Sequence, residues 1–141
     1  NGTVITADVT KSDFSLDPIS DRYGALILND SGKKVGYINL RTFIVADASD
    51  QLRDAFALFQ ANGVTELIID LRYKGGGLVS VADTFGDLMG AGRVGQVWSE
   101  PVLRASKSSE NSTEFFQAEA NAIAPTKIAH LESRRASSVV I

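Results

Sequence analysis

Apolar residues recur along the chain with two alternating periods, and these periods predict an order of strands and helices. Two strand-like runs, 23–28 and 35–43, flank the stretch Asn29-Asp30-Ser31-Gly32, whose residue types are typical of a hairpin turn. A helix is predicted over 49–62, because apolar residues there recur on one face and Gly63 follows as a stop. The first half of the chain therefore predicts a hairpin followed by a helix.

The second half repeats the alternation of strand and helix. Leu67–Leu71 is apolar almost throughout, which predicts a buried strand, and apolar residues from Leu78 to Met89 recur at helical spacing. The remaining segments are assigned from their residue types: a strand or arm at 3–10, a polar linker at 12–21, an edge strand with Trp98 at 94–103, a polar loop at 105–113, an extended piece at 115–116 and a strand at 127–131. This order favours a layered α/β fold.

Three glycines, Gly75, Gly76 and Gly77, join the predicted strand to the following helix. Glycines in this place leave backbone N–H groups open to negative charge, either a phosphate or the oxyanion of an acyl-transfer reaction, although a tight turn alone also requires small residues. A P-loop is excluded because Lys74 precedes the glycines instead of following them. A second glycine pattern, Gly90–Gly95, follows a helix and precedes a strand, so we interpret it as a helix end and turn.

Composition limits the chemistry further. The chain has 141 residues, of which 44% are hydrophobic and 22% charged, as in one ordinary globular domain. A net charge of −3 without a basic cluster argues against a nucleic-acid partner. No apolar run is long enough to span a bilayer. The absence of cysteine and the single histidine exclude thiolate catalysis and multi-histidine metal sites, and we expect neither a metal nor a cofactor.

Two segments, Lys34–Phe43 and Leu67–Gly77, resemble the tail-specific (C-terminal processing) serine peptidases. That family carries a Gly-Tyr-Ile/Leu-x-Leu strand, then a helix, then Ile-Asp-Leu-Arg-x-Asn-x-Gly-Gly-Leu at the start of the next helix. The resemblance extends from about Phe14 to the end of the chain and is most specific over Asp70–Leu78.

The resemblance implies a fold and a domain organisation. It implies an incomplete ClpP/crotonase-like spiral core of α/β type, with an N-terminal hairpin and strand–helix repeats. Residues 1–21 would be an arm or linker that leaves an upstream PDZ module, and residues 22–141 the N-terminal part of the serine peptidase core. It also implies a location in the bacterial periplasm or cell envelope.

The resemblance also implies roles for individual residues. Ser137 in the tail 135–141 matches the nucleophilic serine of the family, and alignment from the other end of the motif with a gap gives Ser138 instead. Gly75 and Gly76 would donate N–H groups to the oxyanion. Asp70 and Arg72 flank a buried strand, where charges persist when they are paired, so we expect them to support the loop structurally.

The general base is missing from this chain. In the family it is a lysine well downstream of the serine, whereas Lys127 precedes Ser137, and His130 lies in an apolar strand where we expect a core or edge residue. Lys74 stands where the family has Asn, and either contacts a substrate carboxylate or is a solvated loop charge. The chain therefore carries half of a dyad, and we predict that it is inactive alone. We also expect a frayed tail from about Glu132 and self-association through the apolar face that the missing half would cover.

The sequence thus predicts a serine endopeptidase of the C-terminal processing type, acting on polypeptides through a Ser/Lys dyad and an acyl-enzyme, here as a fragment without the lysine. One alternative is a non-catalytic polypeptide-binding relative that keeps the fold. Another is a crotonase-type acyl-CoA enzyme, which shares the glycine-donated oxyanion hole.

Overall fold

The computed structural model describes residues 2–3, 6–12, 16–72 and 74–132. These residues form strands, two α-helices and one 3₁₀ helix. The strands are β1 (Ala25–Asp30), β2 (Lys33–Asn39), β3 (Glu66–Asp70), β4 (Val97–Ser99), β5 (Glu114–Phe115) and β6 (Lys127–Leu131). The helices are α1 (Ala48–Ala61), α2 (Val79–Leu88) and the 3₁₀ helix Ala105–Glu110.

The predicted hairpin is formed by β1 and β2, which pair antiparallel from Ala25–Ile38 to Asp30–Lys33. Its turn is shorter than the four predicted residues, since Asn29 and Asp30 belong to the strand. The two turn residues, Ser31 and Gly32, have φ angles of 50° and 86°. A two-residue turn with left-handed backbone at both positions matches the right-handed twist of the strands, and glycine adopts that conformation without steric strain.

The main sheet has the order β1-β2-β3-β6, and β2, β3 and β6 run parallel. Helix α1 connects β2 to β3 and packs with α2 on one face of this sheet. The buried residues of that layer form the core: Ile38, Leu40, Phe43, Ala48, Leu52, Ala55, Phe56, Phe59, Val64, Leu67, Ile69, Val81, Phe85, Leu88 and Ile123. The α/β fold class predicted from the sequence is confirmed, with the core present in part.

The opposite face of the sheet is open within the described residues. Leu26 and Leu28 of β1 are each 39% exposed there, and Tyr37 and Asn39 of β2 are half-buried. Together with the side chains after β2 and β3 they line a cleft of about 760 Å³. The buried strand predicted at Leu67–Leu71 is β3, shifted by one residue, and its burial is incomplete: Ile68 is half-buried, because helices cover only one face.

Three segments differ from the sequence-based assignment. The predicted strand 94–103 is limited to β4, because only the two residues of β5 pair with it. The predicted polar loop contains the 3₁₀ helix. The described residues 6–12 form no strand, so of the strand or arm predicted at 3–10 the strand is not observed there. The segment between β5 and β6 is fixed to α1 by a bidentate ion pair, in which Arg53 Nε and Nη2 donate to the Glu119 carboxylate at 3.0 and 2.7 Å.

Gly86 in α2 provides the first testable prediction. Alanine is favoured over glycine inside a helix by about 1 kcal/mol. A Cβ at Gly86, however, would lie 2.5 Å from two atoms of the Trp98 ring, which is itself held by a 3.2 Å hydrogen bond from its Nε1 to Asp83. Displacing a packed ring costs about 1–3 kcal/mol, so we expect Gly86→Ala to lower the free energy of unfolding by about 1 kcal/mol.

Urea unfolding followed by the fluorescence of Trp98 measures this change directly. Ser80→Ala on the exposed side of the same helix is the matched control, since it changes helix propensity without touching the ring, and it should be neutral or slightly stabilising. A Gly86→Ala protein more stable than the wild type would show that Trp98 moves aside without loss.

Candidate functional site

The glycine loop lies at the carboxyl ends of β2 and β3. Beyond these strands, Phe43 forms an isolated parallel bridge with Gly77. The Phe43 N–H donates to the Gly76 carbonyl at 3.3 Å, and the Leu78 N–H donates to the Phe43 carbonyl at 2.8 Å. The loop is thus fastened to the segment between β2 and α1, and α2 begins immediately after it.

Each of the three glycines has a different steric environment. A Cβ on Gly77 would lie 2.2 Å from the carbonyl carbon of Phe43 and 2.5 Å from the Ile44 nitrogen, and its φ is 149°. Gly76 has a φ of 102° but open space where a Cβ would be, and Gly75 has open space without a left-handed φ. Only glycine fits at position 77, because the obstructing atoms belong to the backbone.

The backbone N–H groups of the three glycines are the possible hydrogen-bond donors of this loop. Among the described residues, the N–H groups of Gly75, Gly76 and Gly77 make no backbone hydrogen bond, whereas those of Lys74 and Leu78 do. Donors held in place without a protein partner are what stabilisation of a developing oxyanion requires. The geometry is therefore compatible with the oxyanion role proposed for Gly75 and Gly76.

Asp70 is the most tightly held charged group near the loop. Its side chain is 1% exposed and accepts hydrogen bonds from Arg72 Nε at 2.9 Å, Arg72 Nη2 at 2.6 Å and the Tyr37 hydroxyl at 2.8 Å. The Arg72 backbone N–H adds a fourth bond at 3.1 Å. These donors, the Arg72 guanidinium foremost, lower the pKa of Asp70 to about 2 against the opposing effect of burial.

This arrangement bears on the role expected for Asp70 and Arg72. The Asp70 carboxylate accepts its four hydrogen bonds from Arg72 and Tyr37, and Arg72, with half its side chain exposed, closes the turn after β3. The Asp70 carbonyl also accepts the Leu40 N–H at 3.1 Å and Asn39 Nδ2 at 3.2 Å. Asp70 and Arg72 thus form a hydrogen-bonded pair at the end of β3, next to the first residues of the loop.

Lys74 lies against the aromatic residue of the bridge. Its Nζ is 4.4 Å from the centre of the Phe43 ring, which is a cation–π distance. Phe43 is buried and packs against Phe85 with the ring centres 6.4 Å apart. The ammonium group therefore covers the outer side of the core next to the glycines.

Of the other site residues predicted from the sequence, some lie in the described part of the chain and others lie outside it. Ser137 and Ser138 lie outside the described residues, as does the tail beyond Glu132. Lys127 begins β6 opposite Glu66, at the end of the sheet away from the loop. His130 lies on the edge strand β6 with half its side chain exposed, and its Nε2 is 3.1 Å from Glu132 Oε1.

The sequence analysis did not single out two residues of the site. Gly77 has the strictest steric requirement of the three glycines, and its place directly before the helix was the available signal. Tyr37 reaches Asp70 because β2 and β3 run parallel with Tyr37 opposite Ile68, and the sequence alone carries no signal for that register.

Within residues 2–3, 6–12, 16–72 and 74–132, no group of three or more His, Asp or Glu side chains could hold a metal ion. The helices found in this same part of the chain are all too short or too polar to cross a membrane.

Comparison with known proteins places this geometry in a family. The model of peptidase family S41 matches residues 34–137. A solved structure from Bacteroides fragilis NCTC 9343, described as an S41 protease, is 25% identical with a TM-score of 0.71, over 85% of this chain and 33% of that chain. A photosystem II D1 C-terminal processing protease is 24% identical with a TM-score of 0.56, over 89% of this chain and 32% of that chain.

The chain thus spans about a third of the length of the solved structures it matches. Among curated protein sequences, none matches it significantly. The family match covers most of the chain, from the second strand of the hairpin through both helices, the glycine loop and β6. On this evidence, the chain belongs to peptidase family S41.

Proposed function

We propose that this chain acts as the N-terminal part of the catalytic core of a serine endopeptidase of the C-terminal processing type. Residues 22–141 would form that part of a ClpP/crotonase-like spiral core, and residues 1–21 would lead from an upstream PDZ module. The observation that carries the proposal is the fastened glycine loop, whose N–H groups make no backbone hydrogen bond to the described residues and lie just before α2 in a chain of family S41.

The proposed reaction is acyl transfer to Ser137, or Ser138 in the alternative alignment. The serine Oγ attacks the carbonyl carbon of the scissile peptide bond, and its proton passes to a lysine base supplied by a further part of the protein. The tetrahedral oxyanion accepts N–H hydrogen bonds from Gly75 and Gly76, a contribution worth about 3 kcal/mol per donor. The C–N bond then breaks as the leaving amine takes the proton, and water releases the acyl group.

Asp70 and Arg72 act indirectly in this proposal. The bidentate pair holds the turn between β3 and the loop, so that the glycine donors keep one orientation without a substrate present. This role is a positioning role, because the Asp70 carboxylate is fully occupied by Arg72 and Tyr37.

Peptidase membership implies a polypeptide substrate. The D1 processing protease to which the chain is similar is named for processing a C-terminus, and we infer that this protein also cleaves polypeptides near their C-termini. By resemblance to the family we assign it to the bacterial periplasm or cell envelope.

The decisive experiment compares this chain with a longer protein that contains it and the downstream core. We expect the isolated chain to show no cleavage of an unstructured polypeptide by mass spectrometry, because it lacks the dyad lysine. The longer protein should cleave, and Ser137→Ala should lower its turnover by about 10³-fold or more. Full activity in that variant would reject Ser137, and Ser138→Ala then tests the alternative alignment.

Lys74 favours the second candidate function, a polypeptide-binding relative without catalysis, because the family carries Asn at this position. In that case the longer protein would bind unstructured polypeptide without cleaving it, and neither serine variant would change its behaviour. For the isolated chain we also propose self-association through the open sheet face with Leu26 and Leu28, which light scattering at rising concentration would detect.

A further inference from the structure

Of the four donors to the Asp70 carboxylate among the described residues, only the Tyr37 hydroxyl lies outside the turn after β3. Each carboxylate oxygen accepts two hydrogen bonds. Oδ1 accepts the Arg72 Nε and the Arg72 backbone N–H at 2.9 and 3.1 Å, and Oδ2 accepts Arg72 Nη2 and the Tyr37 hydroxyl at 2.6 and 2.8 Å. Three of the donors therefore move with the turn, whereas the fourth belongs to strand β2.

The sheet holds Tyr37 in place. Strand β2 pairs with β1 on one side and with β3 on the other. In the parallel register, Tyr37 lies opposite Ile68, and Asn39 lies opposite Asp70. Alternate residues of a strand point to the same face, so Tyr37 and Asp70 share a face of the sheet. The Tyr37 hydroxyl thus reaches the carboxylate from a strand that is paired on both sides.

The protonation states of the two groups suit this contact. Burial, and next the neighbouring Asp70 carboxylate, raise the pKa of Tyr37 above its ordinary value, so the phenol keeps its proton at neutral pH. The pKa of Asp70 is about 2, so the acceptor is ionised. A neutral donor facing a carboxylate makes a charge-assisted hydrogen bond, which is stronger than one between neutral groups.

The Asp70 carboxylate also holds the backbone where the sheet ends. The Leu71 N–H still donates to the Leu131 carbonyl at 2.9 Å, but the next N–H, that of Arg72, donates to Asp70 Oδ1. The χ2 torsion of an aspartate has broad minima. A carboxylate therefore keeps the Arg72 N–H in one place when a donor from outside the turn fixes its rotation.

We propose that Tyr37 is a further positioning residue of the reaction. Its hydroxyl orients the Asp70 carboxylate, and the carboxylate in turn fixes the Arg72 backbone at the start of the glycine loop. The inference rests on the proposed function, in which the glycine N–H groups stabilise the oxyanion. Phe43 fastens the end of the loop, so Tyr37 and Phe43 hold its two ends to the segments on either side of the end of β2.

The first test measures kcat and KM of the longer protein that contains this chain and the downstream core. Tyr37→Phe removes the hydroxyl and keeps the ring. We expect kcat to fall about tenfold, because a small misplacement of groups that act on the transition state lowers the rate. KM should stay within about twofold, because the oxyanion contacts are made mainly in the transition state. A purely structural role would lower the melting temperature and leave kcat of the folded protein unchanged.

Tyr23→Phe is the matched control, since it removes the same hydroxyl from another tyrosine. Tyr23 is 53% exposed, and the Arg22 guanidinium lies 5.0 Å from the centre of its ring. Its kcat should equal that of the wild type. Repeating Tyr37→Phe in an Asp70→Asn background tests whether Tyr37 acts through Asp70. There it should change kcat by less than about twofold, because the effects of two residues in one contact are not additive.

The second test does not depend on cleavage and measures amide hydrogen exchange in this chain by NMR. In Tyr37→Phe, the Arg72 amide should exchange about fivefold faster, because its acceptor is free to rotate. The Leu40 amide is the internal control. It donates to the main-chain carbonyl of Asp70 at 3.1 Å, so its exchange rate should not change. This measurement also covers the case in which Asp70→Asn fails to fold.

The outcomes separate this inference from the proposed function. Serine-dependent cleavage with an unchanged kcat in Tyr37→Phe would overturn the positioning role and leave the peptidase assignment intact. Additive effects of Tyr37→Phe and Asp70→Asn on kcat, or an unchanged exchange rate of the Arg72 amide, would overturn the connection through Asp70. No cleavage by the longer wild-type protein would overturn the proposed function and the role of Tyr37 in the reaction together.

Discussion

Gly77→Ala will lower the free energy of unfolding of this chain by about 3 kcal/mol, the range of a severe single substitution. A methyl group at this position would lie 2.2 Å from the Phe43 carbonyl carbon and 2.5 Å from the Ile44 nitrogen. Both obstructing atoms belong to the backbone, so no rotation of a side chain relieves the clash. The left-handed φ of 149° adds strain for any residue with a Cβ.

The loop itself provides matched controls for this prediction. Gly75→Ala meets no atom within 4 Å and has no left-handed φ, so its stability should equal that of the wild type within about 0.5 kcal/mol. The stability of Gly76→Ala should lie between those of the other two variants, since Gly76 has a left-handed φ of 102° but open space where a Cβ would be. Urea unfolding monitored by circular dichroism gives the three values, and equal stability of the Gly77 and Gly75 variants would contradict the backbone contact.

Asp70→Asn will lower the free energy of unfolding at pH 7 by about 2 kcal/mol, the range for hydrogen bonds to a buried charged group. The substitution keeps the shape of the side chain but replaces one carboxylate oxygen with an NH₂ group. That group would face donors from Arg72 or Tyr37, so two donors would meet without an acceptor. Arg72 is half exposed, and water partly replaces its lost contacts, which limits the loss.

The same variant changes the pH dependence of stability in a predictable direction. The pKa of Asp70 is about 2 in the folded chain and 3.8 without the fold. Because the folded pKa is the lower one, the unfolded chain binds a proton first, and stability falls as the pH drops from about 5 towards 2. The difference in stability between wild type and Asp70→Asn should therefore shrink over this range.

Asp87→Asn is the control, because its effect on the pH dependence of stability should have the opposite sign. Asp87 is also buried, but burial raises its pKa, and its Oδ1 accepts the Gln117 N–H at 2.8 Å. Asparagine keeps that acceptor and removes a desolvated charge, so stability at pH 7 should be unchanged or higher by up to about 1 kcal/mol. As the pH falls through the raised pKa of Asp87, the free energy of unfolding of the wild type should rise relative to that of Asp87→Asn. Parallel pH profiles for Asp70→Asn and Asp87→Asn would contradict the assignment of the two environments.

The local sequence pattern was sufficient to predict the helices and strands whose formation depends mainly on neighbouring residues. The helix predicted over 49–62 is α1 at Ala48–Ala61, and Gly63 ends it with a φ of 65°. The strand predicted at 127–131 is β6 without change. Strong apolar periodicity and a glycine stop determine such elements before any distant contact is made.

The features that the sequence did not predict depend on contacts between distant segments. The extent of β4 is limited by the length of β5, its partner in pairing. The steric requirement of Gly77 depends on where Phe43 lies after β2 has been placed in the sheet. The contact between Tyr37 and Asp70 depends on the parallel register of β2 and β3. None of these distances is encoded by residue spacing, so pattern reasoning identified the glycine loop but not the glycine with the strictest requirement.

The fastening of the glycine loop also determines how this region opens in thermal motion. The two hydrogen bonds between the loop and the segment around Phe43 break together, because separating either one moves the shared backbone. Phe43 is 5% exposed and packs on Phe85, so such an opening would bring core surface into water. The energetic penalty for loop motion is therefore set by the aromatic core and not by the glycines, whose intrinsic freedom is large. The glycine-rich segment is thereby held in one backbone conformation, and its N–H groups keep one orientation.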